Sequence, residues 1–335
     1  MRKLFFGDEK GRFPLDFFLS LKNVIIEYMP KILVTGGAGF IGSTLVDKLI
    51  EVGHDVAVID DLSSGRQDYL NKAARFYKVD ICSKKAAKII AAEKFEFIYH
   101  LAAQIDVRKS VADPESDNCI NVLGGLNILE AARLSGVKKI IFASTGGAIY
   151  GEAEEIPTSE LSPTYPVSPY GIHKLTFEKY LNYYYQVYGL DFTILRFANV
   201  YGPRQFKGGE AGVIAIFIDN AVKDKTSTQF GDGQQTRDFV YVDDVVRGLM
   251  SAQDIDCPSE INIGSGTEIN LLELRQSIDK ALGRAIKVVE APGKEGEQRR
   301  SCLSYKRAQE VLGWQPSVDL EAGVKKTIEW AQSVL

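Results

Sequence analysis

The chain has 335 residues, 45% hydrophobic and 25% charged, which is enough apolar content for a substantial core without metal or disulfide staples. Its four cysteines (Cys82, Cys119, Cys257, Cys302) form no C-x-x-C pair and its three histidines (His54, His100, His173) stand far apart, so neither set has metal-ligand spacing, and reduced thiols in a cytoplasmic protein are expected. A net charge of -4 argues against nucleic acid as a partner, so an anionic ligand must meet locally placed cations.

Residues 1–28 read as an N-terminal extension. Asp16, Lys22 and Asn23 interrupt its apolar run, so it has neither the core of a signal peptide nor the length of a membrane span, and no membrane partner is expected. Phe17, Phe18, Leu21, Ile25 and Tyr28 fall roughly on one face of a short amphipathic helix from Leu15 to Tyr28. From Lys31 the pattern becomes regular. KILVT reads as a buried strand, TGGAGFIGS as a glycine-rich turn, Phe40 to Val52 as a helix and DVAVID (55–60) as a second strand. Strands follow in RFYKVD, FEFIYHLAA and VKKIIFAST, separated by helical periodicity at 83–93 and 115–135; a long helix follows Tyr170, then a strand in DFTILRFAN. Such alternation predicts a parallel sheet covered on both faces. Beyond about residue 200 the elements shorten: helices near 212–223, 243–253, 271–283 and 319–333, and strands near 227–231 and 236–241. The expected architecture is therefore α/β, a Rossmann-type doubly wound parallel sheet over 29–200 with a smaller C-terminal α/β substrate lobe over 201–335, the chain being free to cross between lobes.

Gly36, Gly39 and Gly42 stand at G-x-x-G-x-x-G spacing between the first strand and the first helix. Alone, such a triplet is also what a tight strand-helix turn needs. In this position it lets backbone approach a pyrophosphate at a helix N-terminus. The second strand ends in Asp60, where a carboxylate suits the adenosine ribose hydroxyls and repels a 2'-phosphate; with Asp61 also acidic, NAD is expected rather than NADP. Downstream, SPYGIHK (168–174) places Tyr170 and Lys174 four residues apart on one helical face. A surface tyrosine with an i+4 lysine has the same spacing. Beside a dinucleotide fold, however, a phenol with a neighbouring ammonium has a purpose, because positive charge favours phenolate and a hydroxyl losing hydride to nicotinamide needs a base.

TGGAGFIG, HLAAQ (100–104), FASTGGAIYG (142–151), PYGIHK, LRFANVYGPRQ (195–205) and RDFVYVDDV (237–245) together resemble the extended short-chain dehydrogenase/reductase family, in its nucleotide-sugar branch and within that the UDP-glucose 4-epimerases. The resemblance covers about 29–333. It implies Tyr170 as acid/base, Lys174 as the cation that lowers the phenol's pKa and holds the nicotinamide ribose, and a hydroxyl from Ser144 or Thr145, with Thr145 preferred, on the reacting oxygen. It further implies cofactor contacts from Phe40, Ile41, Asp80, Ile81, Leu101, Ala102 and Ala103, and substrate contacts from Asn121, Asn199, Arg237, Lys294 and Ser301. Lys294 stands where the family carries an arginine, a loss of bidentate geometry that Arg299 or Arg300 would offset. Relatives also tend to carry an aspartate near Ser304, which bears on uridine specificity.

The dehydratase branch of the family carries Asp and Glu where this chain has Gly146 and Gly147, so the expected reaction needs one acid/base only. That is 4-epimerisation of a UDP-hexose, glucose/galactose or their N-acetyl forms, through a 4-keto sugar. The resemblance also admits a UDP-glucuronate decarboxylase, and fold alone admits a non-catalytic NAD or nucleotide-sugar sensor. A homodimer through the helices near 115–135 and 168–188 is implied as well.

Overall fold

Seven segments, rich in β-branched and aromatic residues, form one wholly parallel sheet: β1 (Lys31–Thr35), β2 (Asp55–Asp60), β3 (Arg75–Lys78), β4 (Phe97–His100), β5 (Lys139–Thr145), β6 (Asp191–Phe197) and β7 (Ser259–Ile263), in the order β7-β6-β5-β4-β1-β2-β3. The computed structural model describes residues 29–205, 212–255, 258–293 and 298–334; the helix expected at 15–28 and Lys294 lie outside them. Successive strand residues face opposite sides, so both faces are apolar and both are covered. Leu33, Ala57, Ile59 and Ile98 pack with Ile90, Ile128, Leu129 and Phe177 from the helices α2 (Lys84–Glu93), α3 (Gly125–Ser135) and α4 (Pro169–Tyr188). Ile32, Val34, Val56 and Val58 pack on the other side with Leu45, Val46 and Leu49 of α1 (Phe40–Glu51) and Val245 and Leu249 of α5 (Val242–Ser251).

A third core, around Ile214, Phe217, Tyr241, Leu274 and Val324, belongs to the C-terminal region, and Phe40 and Ile41 pack partly against it. The expected alternation is thus the observed one, with short elements the pattern did not single out at Val107–Ala112, Val288–Ala291 and Lys306–Leu312, and with three larger differences. The helical stretch 115–135 is not one helix: Pro114–Asn118 is α-helical, Cys119–Gly124 is a π-helical turn and α3 follows. The strand expected at 236–241 divides into Thr236–Arg237 and Phe239–Tyr241 around Asp238. SEINI (259–263), not singled out as a strand, adds β7 beside β6, and α5 packs on α1, so the chain returns to the first lobe after residue 240.

Candidate active site

Parallel strands end at one edge of the sheet, and this edge gathers the segments singled out by sequence. Gly36, directly after β1, has φ +73°, and a Cβ on it would stand 2.7 Å from the backbone nitrogen of Ala102, so the turn packs backbone on backbone. Any side chain at Gly42 would overlap the Gly36 carbonyl. No side chain caps α1, and its first turn carries no acidic residue. Asp60 closes β2 with its carboxylate accepting from Ala38 N–H (3.0 Å) and Leu62 N–H (2.8 Å), which ties the glycine turn to the next strand. Burial raises the pKa of Asp60 against the opposing effect of these two donors. Asp80 is exposed and accepts from Cys82 N–H at 2.8 Å, Ile81 is buried, and Leu101–Ala103 follow β4, where Ala102 N–H donates to Thr35 Oγ1 at 3.2 Å.

The start of α4 is fixed by its own sequence. Ser168 is the N-cap, accepting from Gly171 N–H at 3.2 Å, and Pro169 occupies the first turn, so Tyr170 begins the helix. Gly171 has no room for a side chain because the carbonyl of Ala148 lies against it, which brings Tyr170 alongside the glycine-rich segment after β5. One turn on, Lys174 is 3% exposed with its Nζ 4.4 Å from the centroid of Phe142. Burial pushes the pKa of Lys174 down to about 7, against the raising influence of Glu178 and Asp117.

Ser144 and Thr145 part company. Ser144 Oγ donates to Glu178 Oε1 at 2.7 Å inside a buried network in which Arg196 grips both Glu178 oxygens and donates to the Tyr150 hydroxyl. Thr145 is half-buried, and a Cβ on Gly147 would lie 3.9 Å from its Oγ1 and 3.7 Å from Asn199 Oδ1. Two polar side chains therefore converge on a residue that has none. Asn121, expected beside the sugar, meets the main chain of Gln104: its Oδ1 accepts from the amide at 3.0 Å and its Nδ2 donates to the carbonyl at 2.9 Å. It braces the loop after β4.

Arg237 lies beside this edge, its guanidinium donating to the Thr236 carbonyl at 2.8 Å. The two arginines expected to offset Lys294 are already paired, Arg299 with Asp232 at 2.9 Å and Arg300 with Glu268 at 2.5 Å. Ser301 is 8% exposed, two residues before Leu303, whose side chain fills the space at Gly146.

The sequence model of the NAD dependent epimerase/dehydratase family matches residues 32–264. The chain belongs to that family. It is 47% identical over 304 residues to a UDP-glucose 4-epimerase from Mycolicibacterium smegmatis, covering 89% of this chain and 97% of that one. The crystal structure of UDP-glucose 4-epimerase with UDP-glucose from Thermotoga maritima superimposes with a TM-score of 0.89 at 46% identity, over 91% of this chain and 99% of that one. A Thermus thermophilus UDP-glucose 4-epimerase in complex with NAD gives 0.87 at 40%, over 91% and 100%.

The turn residues fit the family's cofactor. Glycines leave backbone amides at an uncapped helix start, as a pyrophosphate requires, and Asp60 stands at the strand end that a ribose would meet. The histidine that ends β4 has a role of its own. His100 is 2% exposed, its Nδ1 lies 2.8 Å from Thr35 Oγ1, and its ring stacks on Phe142. Burial lowers its pKa to about 3 from 6.5. Between those values the unfolded chain binds a proton that the folded one refuses, so stability is complete above pH 6.5 and declines as pH falls toward 3, by about 1.4 kcal/mol per pH unit. His100→Gln should accordingly flatten the fall of unfolding free energy below about pH 6. Denaturant curves at several pH values check this; parallel losses in both proteins would remove His100 as the cause.

Proposed function

We propose that the enzyme is an NAD-dependent UDP-hexose 4-epimerase that interconverts UDP-glucose and UDP-galactose, in the cytoplasm and as a homodimer. The observation that carries the reading is the convergence of Thr145 and Asn199 on Gly147, beside a helix start bearing Tyr170 and the buried Lys174. Family members that eliminate water need an additional acid and base there, and this chain offers bare backbone.

Tyr170 takes the proton of the sugar's C4 hydroxyl and later gives it back to the same oxygen. Thr145 Oγ1 hydrogen-bonds that oxygen, while Ser144 is committed to Glu178. Lys174, one turn away, favours the phenolate while it carries its proton. NAD, when bound, accepts and returns a hydride, so that C4 passes through a ketone and is reduced on its opposite face. Asn199 and Arg237 hold the nucleotide sugar, and Ser301 lines the sugar end of the pocket. The turn at 36–42, Asp60, Asp80–Ile81 and Leu101–Ala103 line the cofactor. A homodimer is supported by large apolar side chains exposed on one helix of the single chain, Ile172, Tyr180, Tyr183 and Val187 of α4, and by Leu123 and Leu134.

Because the hydride returns to the sugar, NAD should copurify with the protein, and UDP-galactose should form from UDP-glucose without accumulation of NADH. Product chromatography with absorbance at 340 nm tests this, on a preparation whose mass by light scattering should be that of two chains. Continuous NADH release in proportion to substrate would identify a dehydrogenase instead.

A further inference from the structure

Next to the site lies a buried carboxylate that the reaction as described does not use. Asp117, at the end of the short helix before the π-helical turn, has a side chain with 0% exposure. Its Oδ2 lies 2.5 Å from His173 Nδ1, and its Oδ1 accepts from Gln104 Nε2 at 2.7 Å. His173 immediately precedes Lys174 on α4. Gln104 immediately follows Leu101–Ala103, and it is itself secured: Asn121 holds its amide and carbonyl, and its side-chain amide binds both the N–H (2.6 Å) and the carbonyl (2.9 Å) of Asp106. One carboxylate thus joins the helix of the proton-transfer couple to the strand-end loop on the cofactor side.

The charged and titratable groups around Lys174 come from several elements. Glu178 and His173 share its helix with Tyr170, Asp117 faces it from the short helix, and His100 lies at the end of β4. Glu178 already answers to a guanidinium, since Arg196 from β6 donates to both its oxygens at 3.0 and 2.6 Å. Asp117 has no such partner: among the described residues its one basic neighbour within contact is the His173 ring. A buried ammonium needs nearby negative charge to keep its proton. Burying a carboxylate is costly unless it is paired, so its placement here calls for a use beyond packing.

We propose that Asp117 is a positioning residue for the reaction: it locks the Lys174 ammonium and the Leu101–Gln104 loop into one arrangement through His173 and Gln104, and adds a buried negative charge beside the lysine. The proposal rests on Tyr170 and Lys174 being the proton-transfer couple. Loss of the charge releases the lysine's proton at lower pH, which withdraws the cation that favours phenolate at Tyr170. Loss of the His173 link misaligns the helix and loop without removing the charge.

The experiment is a pair of variants of the full-length enzyme, with kcat and KM for UDP-glucose measured from about pH 6 to 9. Asp117→Asn keeps size and hydrogen-bonding reach. It should lower kcat at neutral pH by about tenfold, less than the roughly hundredfold that a misplacement of about 1 Å can cost. The ratio of its kcat at pH 8.5 to that at pH 6.5 should fall at least about threefold below wild type, with KM within about twofold. His173→Ala should lower kcat while leaving that ratio at its wild-type value. An unchanged Asp117→Asn enzyme, or one whose activity drops by the same factor at every pH, overturns the proposal. If Asp117→Asn does not fold, His173→Ala decides, and wild-type kcat in that variant overturns it. Failure of the site reading itself is distinguishable, because the wild-type protein would then leave UDP-glucose unconverted.

Discussion

Tyr170→Phe should keep cofactor and nucleotide-sugar binding and lower turnover by at least about a hundredfold, the usual range for a positioned acid/base. A free phenol is a poor base near neutrality, since its pKa is about 10. Bringing it toward neutrality takes about 4 kcal/mol, roughly three pKa units. In the proposed mechanism Lys174 supplies that shift: it is 3% exposed, sits one helical turn away and faces Phe142 rather than water. The substitution removes one oxygen from the first turn of α4, where capping comes from Ser168 and not from Tyr170, so the helix start should survive. Stopped assays with UDP-glucose, together with calorimetric binding of UDP, separate loss of chemistry from loss of binding. Turnover near the wild-type value would take Tyr170 out of the mechanism.

Ser301→Tyr should abolish activity on UDP-N-acetylglucosamine while leaving UDP-glucose turnover largely intact. The resemblance to the family implies Ser301 as a substrate contact, and Lys294 lies outside the described residues. The neighbourhood of Ser301 supplies an independent anchor. Leu303 N–H donates to buried Asp238 at 3.1 Å, Thr158 N–H donates to the Cys302 carbonyl at 2.8 Å, and the Leu303 side chain packs on Gly146. The strip 301–303 is therefore held against the segment that carries Thr145 and Gly147. A serine there leaves room for a larger C2 substituent, which a phenol would occupy. The effect should be asymmetric, because a steric clash costs several kcal/mol whereas a gained loose contact is worth about one or two. A loss of at least about a hundredfold in kcat/KM on the N-acetyl substrate is the expected scale, read from parallel assays with both sugars. An equal loss on both would refute the assignment.

The positions of SPYGIHK and TGGAGFIGS were legible because local chemistry decides them. A serine cap, a proline in the first turn and i, i+4 spacing need no distant partner, and neither does a glycine turn between an apolar strand and a helix. The register of Ser144 and Thr145 was not legible. Both are strand-end hydroxyls in sequence, and only the arrival of Glu178 and Arg196 from other elements draws Ser144 into a buried network. Nor does the sequence show that Asn121, in the π-helical turn, binds the main chain of Gln104.

By itself, the sequence determined the alternation of strand and helix, the parallel sheet, the cofactor turn and the helix that presents Tyr170 and Lys174. These depend on periodicities of two and 3.6 residues and on caps and turns a few residues long, where each contribution comes from neighbours along the chain. Tertiary structure alone decided the return of 242–263 to the first lobe as α5 and β7, the pairing of Arg299 and Arg300 with Asp232 and Glu268, and the joining of His173, Asp117 and Gln104. Each of these brings together polar or apolar groups from separate segments, 13 positions apart for Gln104 and Asp117 and 56 for His173 and Asp117. Burial then forces each polar group to take whichever partner the fold has brought within reach, and no local pattern encodes that choice.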